Sequence, residues 1–434
     1  MRAKQKVSTE GVGEMATPAA GATLVRSHAI TDEPCAPAYP SAIARPGGAR
    51  PRAFKRILSL DDFEPAARRH LPRFLFGYIA GGVETNATRE ANRRAFAVWG
   101  FRTRVLVGTT GRSQQTLLFG HPYAAPFGIA PMGGTALASF KADVALARAA
   151  SASNVPFVLS GFSLVPLEEV IRANPNAWFQ AYLPGDRARI APLVERVARA
   201  GYGTLVITAD VAVSANRENN LRNGWASPLR PSARLAFDTL VRPGWLWGTF
   251  LKTLARSGMP HLENLGATRG VPVLSPTAKR LPSRRDALSW DDIGWVRERW
   301  QGKLVVKGVL SADDVRIGRE AGLDGVIISN HGGRQLDFSA ASLPMLAEAK
   351  SAAGAMTLMV DGGFRRGTDI LKAFAFGAHF VFVGRPFYYA VAIGGEAAVF
   401  HGIALLSEEI DRDLAMLGCN SVAELGPGWL VPMP

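Results

Sequence analysis

The stretch Asp324-Gly325-Val326-Ile327-Ile328-Ser329-Asn330-His331-Gly332-Gly333-Arg334-Gln335-Leu336-Asp337 passes from a β-branched apolar run into a polar cluster holding one imidazole and one guanidinium. The run has the length and branching of a fully buried strand, and the paired glycines after His331 let the backbone turn sharply or lie against a ligand. His331 and Arg334 are therefore expected at the carboxyl end of a strand. An imidazole exchanges protons near neutral pH, and a guanidinium forks onto a carboxylate or phosphate. Taken alone, a structural histidine in a turn explains the pattern equally well.

Working outward, comparable runs recur near Phe127–Ala130, Phe157–Leu159, Trp178–Gln180, Thr204–Thr208, Leu304–Lys307, Thr357–Val360 and Phe380–Val383. With Gly325–Ile328 they make eight. Helical patterns lie between them, such as Asp143–Ser153, Pro166–Ala173, Ala188–Ala200, Ala312–Ala321, Leu343–Ala353 and Thr368–Phe376. This alternation predicts an α/β fold, a (β/α)8 TIM barrel, whose active site would be built from loops at the carboxyl ends of the strands. Each run is followed by glycine or polar residues: Pro131-Met132-Gly133, Ser160-Gly161, Tyr182, Asp210, Lys307-Gly308, Ser329 with His331, Asp361-Gly362-Gly363 and Gly384-Arg385. That recurrence favours the functional reading of His331.

Helices opening at Ser59 and at Pro72, the second running to Gly81-Gly82, form an N-terminal helical prelude. Residues 1–53, rich in Ala, Gly, Pro, Ser and Arg, read as a disordered basic tail, and residues 54–434 as the catalytic domain. A long insertion, 211–303, follows strand 4, far beyond an ordinary crossover. Within it Trp245-Leu246-Trp247-Gly248-Thr249-Phe250-Leu251 stands among Arg242, Lys252 and Arg256, so 242–256 suits a membrane interface and equally a lid or subunit contact.

Among 434 residues there are 50 Lys and Arg against 36 Asp and Glu, a net charge of +14 that favours anionic partners. The two cysteines, Cys35 and Cys419, give neither a disulfide framework nor metal-ligand spacing, so no metal is expected. No signal-peptide core follows the basic amino terminus, and neither secretion nor a spanning helix is expected. Glycines and arginines in Asp361-Gly362-Gly363-Phe364-Arg365 and Gly384-Arg385 suit a phosphate between the seventh and eighth strand ends.

Together Ser329–Asp337, Asp361–Asp369 and Arg217-Glu218 shortly after Asp210 resemble the FMN-dependent L-2-hydroxy-acid oxidase and dehydrogenase family, from about Ser59 to the carboxyl terminus. The resemblance implies FMN contacts at Pro131, Met132, Gly133, Ser160, Gln180, Thr208, Lys307, Ser329, Asp361, Gly363, Arg365, Gly384 and Arg385. It implies that Arg217, Arg334 and Tyr78 hold the substrate carboxylate, that His331 is the base, that Asp210 stabilises its imidazolium, and that Tyr182 polarises the substrate hydroxyl. Phe162 replaces a frequent Trp, leaving the side-chain pocket open. Gly133, often Ala in the family's oxidases, favours a dehydrogenase.

L-lactate is then the first expected substrate and mandelate-like acids the next, with quinone as electron acceptor. A soluble oxidase using oxygen is the alternative, and a non-catalytic basic binding protein a remote one; no nucleic acid partner is expected. The resemblance also implies a homo-oligomer, plausibly a tetramer, cytoplasmic and peripheral on the inner face of the cell membrane.

Overall fold

Eight short runs of buried residues form the centre of the structure, a computed structural model that describes residues 54–225, 232–275 and 284–434. The tail expected over 1–53 lies outside the described residues. The runs are strands β1 Phe127–Ile129, β2 Val158–Ser160, β3 Trp178–Ala181, β4 Thr204–Thr208, β5 Lys303–Val309, β6 Gly325–Ile328, β7 Thr357–Asp361 and β8 Phe380–Val383. Each is parallel to its neighbours in chain order. β8 pairs with β1, and a bridge from Ile129 to Phe157 joins β1 to the start of β2, so the ring closes.

Closure explains the composition of the strands. Alternate side chains face inward, and Val158, Trp178, Val206, Val305, Ile327, Met359, Phe380 and Phe382 fill the interior as a packed core. A hairpin of Thr116–Leu118 and His121–Tyr123 adds Leu118 and Tyr123 to this core. Its turn residue Phe119 lies under Lys303 and beside Gly325, at the amino ends of β5 and β6. One end of the barrel is thereby plugged, and the carboxyl ends are left for a site.

The prelude forms as its capping signals require. The Asp62 carboxylate accepts from the backbone N–H of Ser59 at 2.9 Å, and a 3-10 turn leads into helix α1, Phe63–His70. Pro72 separates this from α2, Arg73–Ala80, which buries Phe74, Leu75, Phe76 and Ile79. A third helix, α3 (Ala87–Ala97), was not evident in the pattern, because its sequence is mostly polar and only Thr88, Asn92 and Phe96 are buried.

The helix after β8, Arg385–Leu417, is also longer than the pattern suggests. By length and composition alone it could cross a membrane, yet it is largely buried inside the protein. Gly394 and Gly395, at φ −158° and +56°, break it into two pieces. Its second piece receives α1: Phe63 is fully buried, edge-on to His401 at 6.4 Å. The insertion after β4 carries short helices at Glu218–Arg222, Ala233–Leu240 and Lys252–Ser257, with a π-helical stretch at Leu246–Leu251, and ends in Trp290–Arg297 just before β5. Phe63→Ala should cost about 3–5 kcal/mol in a denaturant unfolding curve, as expected for a buried aromatic replaced by a cavity.

Candidate active site

The carboxyl ends of the strands open into a cavity of about 1180 Å3. That exceeds the ~300–1,000 Å3 of a typical small-molecule pocket, and leaves room for a cofactor and a substrate together. Its walls come from nearly every strand end, from α2 and α3, and from the insertion.

At its floor lies Lys307 of β5, only 3% exposed. The ammonium donates to Ser329 Oγ at 2.8 Å and pairs with Asp361 Oδ2 at 3.1 Å. Ser329 Oγ in turn accepts the backbone N–H of His331 at 3.0 Å. His331 sits at φ +57°, the left-handed region that a non-glycine residue enters only when held there. Asp210 holds it: the His331 Nδ1 lies 2.9 Å from Asp210 Oδ1, which leaves Nε2 free of that bond.

Electrostatics set the protonation of this pair. Burial pushes the His331 imidazole below its usual pKa; the Asp210 carboxylate opposes that and the Lys307 cation reinforces it, with a net downward direction. Burial pushes the Asp210 carboxyl up, but His331 and Lys307 outweigh it, and the net direction is down. The resting pair at neutral pH is thus a neutral imidazole against a carboxylate, poised to accept a proton.

Three guanidiniums crowd the wall beside this pair. Arg334 donates to the carbonyls of Tyr78 at 2.8 Å and Gly81 at 2.9 Å, and its charge lies 5.0 Å from the Tyr78 ring centroid. Arg217 donates to the Arg334 carbonyl at 3.1 Å and to the Gln335 side-chain amide, while Gln335 donates to the Asp210 carbonyl at 3.1 Å. Arg385 spreads its donors over the carbonyls of Ile79, Gly81 and Gly332. Burial, and then the charge of Arg334, push Arg217 down to about 10 and Arg385 to about 9. Cations that repel each other in a buried wall make an anion-binding surface.

On the opposite side Tyr182 packs edge-on against Phe162, centroids 5.8 Å apart. Burial and the Asp210 charge hold its phenol protonated, able to donate. Tyr78 is stacked on Trp225 at 4.4 Å. All six residues expected to act on substrate, namely His331, Asp210, Tyr182, Tyr78, Arg217 and Arg334, thus gather around one end of the cavity.

The residues expected to hold FMN form the rest. Pro131, Met132, Gly133, Thr208, Lys307, Asp361, Gly363, Arg365, Gly384 and Arg385 line the cavity. Ser160, Gln180 and Ser329 stand just behind: Ser160 Oγ donates to Gln180 Oε1 at 3.1 Å. Three buried polar atoms in this set, Gln180 Nε2, Thr208 Oγ1 and Asp361 Oδ1, have no partner among the described residues. Donors and acceptors facing inward from the ends of β3, β4 and β7 suit a polar heterocycle with alternating groups along its edge, as in a flavin, and the residues fit the cofactor.

The phosphate corner differs from expectation in one respect. Arg365 does not stand as unpaired charge but meets Glu64 of α1 at 3.0 Å and Asp61 at 3.8 Å. Arg385 is likewise engaged with backbone carbonyls. Both pairings cross from the prelude to the last strand ends, contacts that neither local stretch announces.

Other participants escaped the sequence reading. Gln335 links Arg217 to Asp210, and the reciprocal amides of Asn92 and Asn330, at 2.8 and 2.9 Å, tie α3 to the loop after β6. An asparagine at a buried position of a polar helix was the one available signal. Gly308, at φ +102°, has no space for a side chain: a Cβ would lie 2.6 Å from that of Asp210.

The description FMN-dependent dehydrogenase belongs to the family model that matches residues 67–432. The (S)-mandelate dehydrogenase of Pseudomonas putida is 36% identical over 378 residues, covering 87% of this chain and 94% of that protein. An L-lactate dehydrogenase of Stenotrophomonas maltophilia is 37% identical over 385 residues, covering 87% of this chain and 100% of its own. Among solved structures, the monotopic membrane protein (S)-mandelate dehydrogenase superposes with a TM-score of 0.81 at 36% identity, covering 87% of this chain and 100% of that one.

Because Gly308 alone lets Asp210 reach His331, Gly308→Ala should lower kcat/KM by about a hundredfold, as for a group misplaced by an ångström. Steady-state turnover of the purified flavoprotein measures it; a wild-type value would show that the carboxylate has room to move.

Proposed function

The chain belongs to the family of FMN-dependent dehydrogenases, its cofactor is FMN, and we propose that it oxidises an L-2-hydroxy acid to the 2-keto acid at a membrane surface, with quinone as acceptor. The observation that carries the reading is the buried His331 imidazole, held by the Asp210 carboxylate and set beside a wall of guanidiniums. FMN bound against Lys307 and the β-strand ends would supply the two-electron acceptor.

The chain's own residues do the rest. Arg217 and Arg334, assisted by Tyr78, hold the substrate carboxylate, each offering parallel N–H donors to a planar anion. Tyr182 donates to the hydroxyl oxygen and fixes the substrate's orientation. His331 Nε2 accepts the substrate proton, and Asp210 holds the resulting imidazolium. Lys307 fixes a positive charge beside the cofactor position, where negative charge grows on reduction. L-lactate and mandelate-like acids are the leading substrates, after the relatives' names.

Membrane contact is supported by the insertion. Trp247 is 69% exposed, Phe237 68% and Leu240 66%, with Phe250 42% exposed beside them in sequence. Trp245, expected with these, is instead buried, donating to the Leu137 carbonyl at 2.8 Å, so it anchors the segment to the barrel. Exposed aromatics on an anchored segment suit an interfacial contact.

Anaerobic reduction of the bound flavin by L-lactate, (S)-mandelate and glycolate, followed by reoxidation with a quinone analogue or oxygen, tests the assignment. Fast peroxide formation would turn it to an oxidase. His331→Ala should keep the yellow flavin and lose about 10^2–10^4 in kcat, the span of a general base. Since His331 is held below its ordinary 6.5, kcat/KM should stay high above that pH and fall only as acid protonates the imidazole. A limb centred above 6.5 would remove it from the role.

A further inference from the structure

One cation in the cavity has no task in the chemistry above. Arg285 opens the short turn Arg285–Ala287, between the insertion and the helix Trp290–Arg297, and its side chain lines the cavity. Its guanidinium lies 5.3 Å from the centroid of the Tyr182 ring. Among the described residues its buried Nε has no hydrogen-bond partner, and none of their ion pairs includes it. Burial pushes its pKa down, and the nearby Arg189 cation does so further.

The position is built rather than incidental. Tyr182 and Gly185 belong to the same loop after β3, and a Cβ on Gly185 would lie 1.7 Å from the Arg284 carbonyl oxygen, so the two backbones meet there. Arg284 itself turns at φ +41°. Beyond the turn, Arg187 pairs with Asp292 at 2.7 Å. These contacts hold the guanidinium over Tyr182. Stacking on one ring satisfies no N–H donor, and a buried donor left unpaired is costly. An arriving carboxylate would satisfy both charge and donors. Arg217 and Arg334 serve the carboxylate at the reacting carbon, and Phe162, Val213 and Leu274 of the same cavity carry no charge.

We infer that Arg285 is a specificity-determining residue that holds a second carboxylate at the far end of the substrate, so that the site favours L-2-hydroxydicarboxylates over monocarboxylates of equal length. The inference rests on the 2-hydroxy-acid reading, and the experiment separates the two. With the full-length holoenzyme, flavin reduction is compared for L-malate against L-2-hydroxybutyrate, and for L-2-hydroxyglutarate against L-2-hydroxyvalerate. In parallel, binding of non-oxidisable succinate and butyrate is followed by the flavin absorbance.

Wild type should favour the dicarboxylate of each pair by about tenfold or more in kcat/KM, one charge-assisted contact. Arg285→Ala should erase that ratio through KM, and weaken succinate relative to butyrate by the same factor; Arg285→Lys should keep part of both. Equal use of each pair by wild type, or an equal fall for both members in Arg285→Ala, overturns the inference and leaves Arg285 as a wall for Tyr182. If no 2-hydroxy acid reduces the flavin, the functional reading falls, and the succinate-to-butyrate ratio in the two proteins still decides whether Arg285 binds a distal carboxylate.

Discussion

An ammonium group almost out of reach of water, on Lys307, is the constraint around which the site is arranged. A buried charge is tolerated only when paired and hydrogen-bonded, and Asp361 from β7 and Ser329 from the end of β6 meet that need. Ser329 then fixes the backbone of His331 in a left-handed conformation, and the imidazole is delivered to Asp210. Four strand ends are thus tied through one cation. Replacing any partner would leave a buried charge or donor without its counterpart, which explains why these residue types sit in adjacent strands at matching depth.

The second organising feature is the collection of carbonyls at the end of α2. Arg334, Arg385 and Arg89 all donate to the segment Tyr78–Gly81. A helix carboxyl end carries unsatisfied carbonyls and partial negative charge, so three cations are stabilised there. The loops after β6 and β8 are in this way fastened to the prelude, and Tyr78 is brought to the cavity. Glu64 does the same for Arg365. The prelude is therefore part of the site's wall, although it adds no strand to the barrel.

Much of this was legible in the chain. All eight strands were readable, because burial on both faces demands continuous β-branched and aromatic runs, and because each ends where glycine or a polar residue is needed. The six residues gathered around one end of the cavity were readable through those ends and the family resemblance. What was hidden depends on distance in sequence: the pairing of Trp99–Phe101 with Leu430–Pro432, Glu64 under Arg365, and Gln335 bridging Arg217 to Asp210. Arg285 was hidden for another reason. A single arginine in a polar loop has no period, and only the close approach at Gly185 reveals where it points.

The break at Gly394 and Gly395 has a bearing on how the longest described helix is accommodated. Hydropathy nominates Arg385–Leu417 as a bilayer-crossing segment, which would need about 20 consecutive apolar residues in helical form. The glycines divide it, and Glu408, Glu409, Asp411, Arg412 and Asp413 close its distal part with charge. In the folded protein the break lets the two pieces take different directions, and most of their apolar surface is turned inward. Among the described residues the longest helix thereby packs inward against α1, whereas the exposed aromatics Trp247 and Phe237 belong to shorter segments of the insertion.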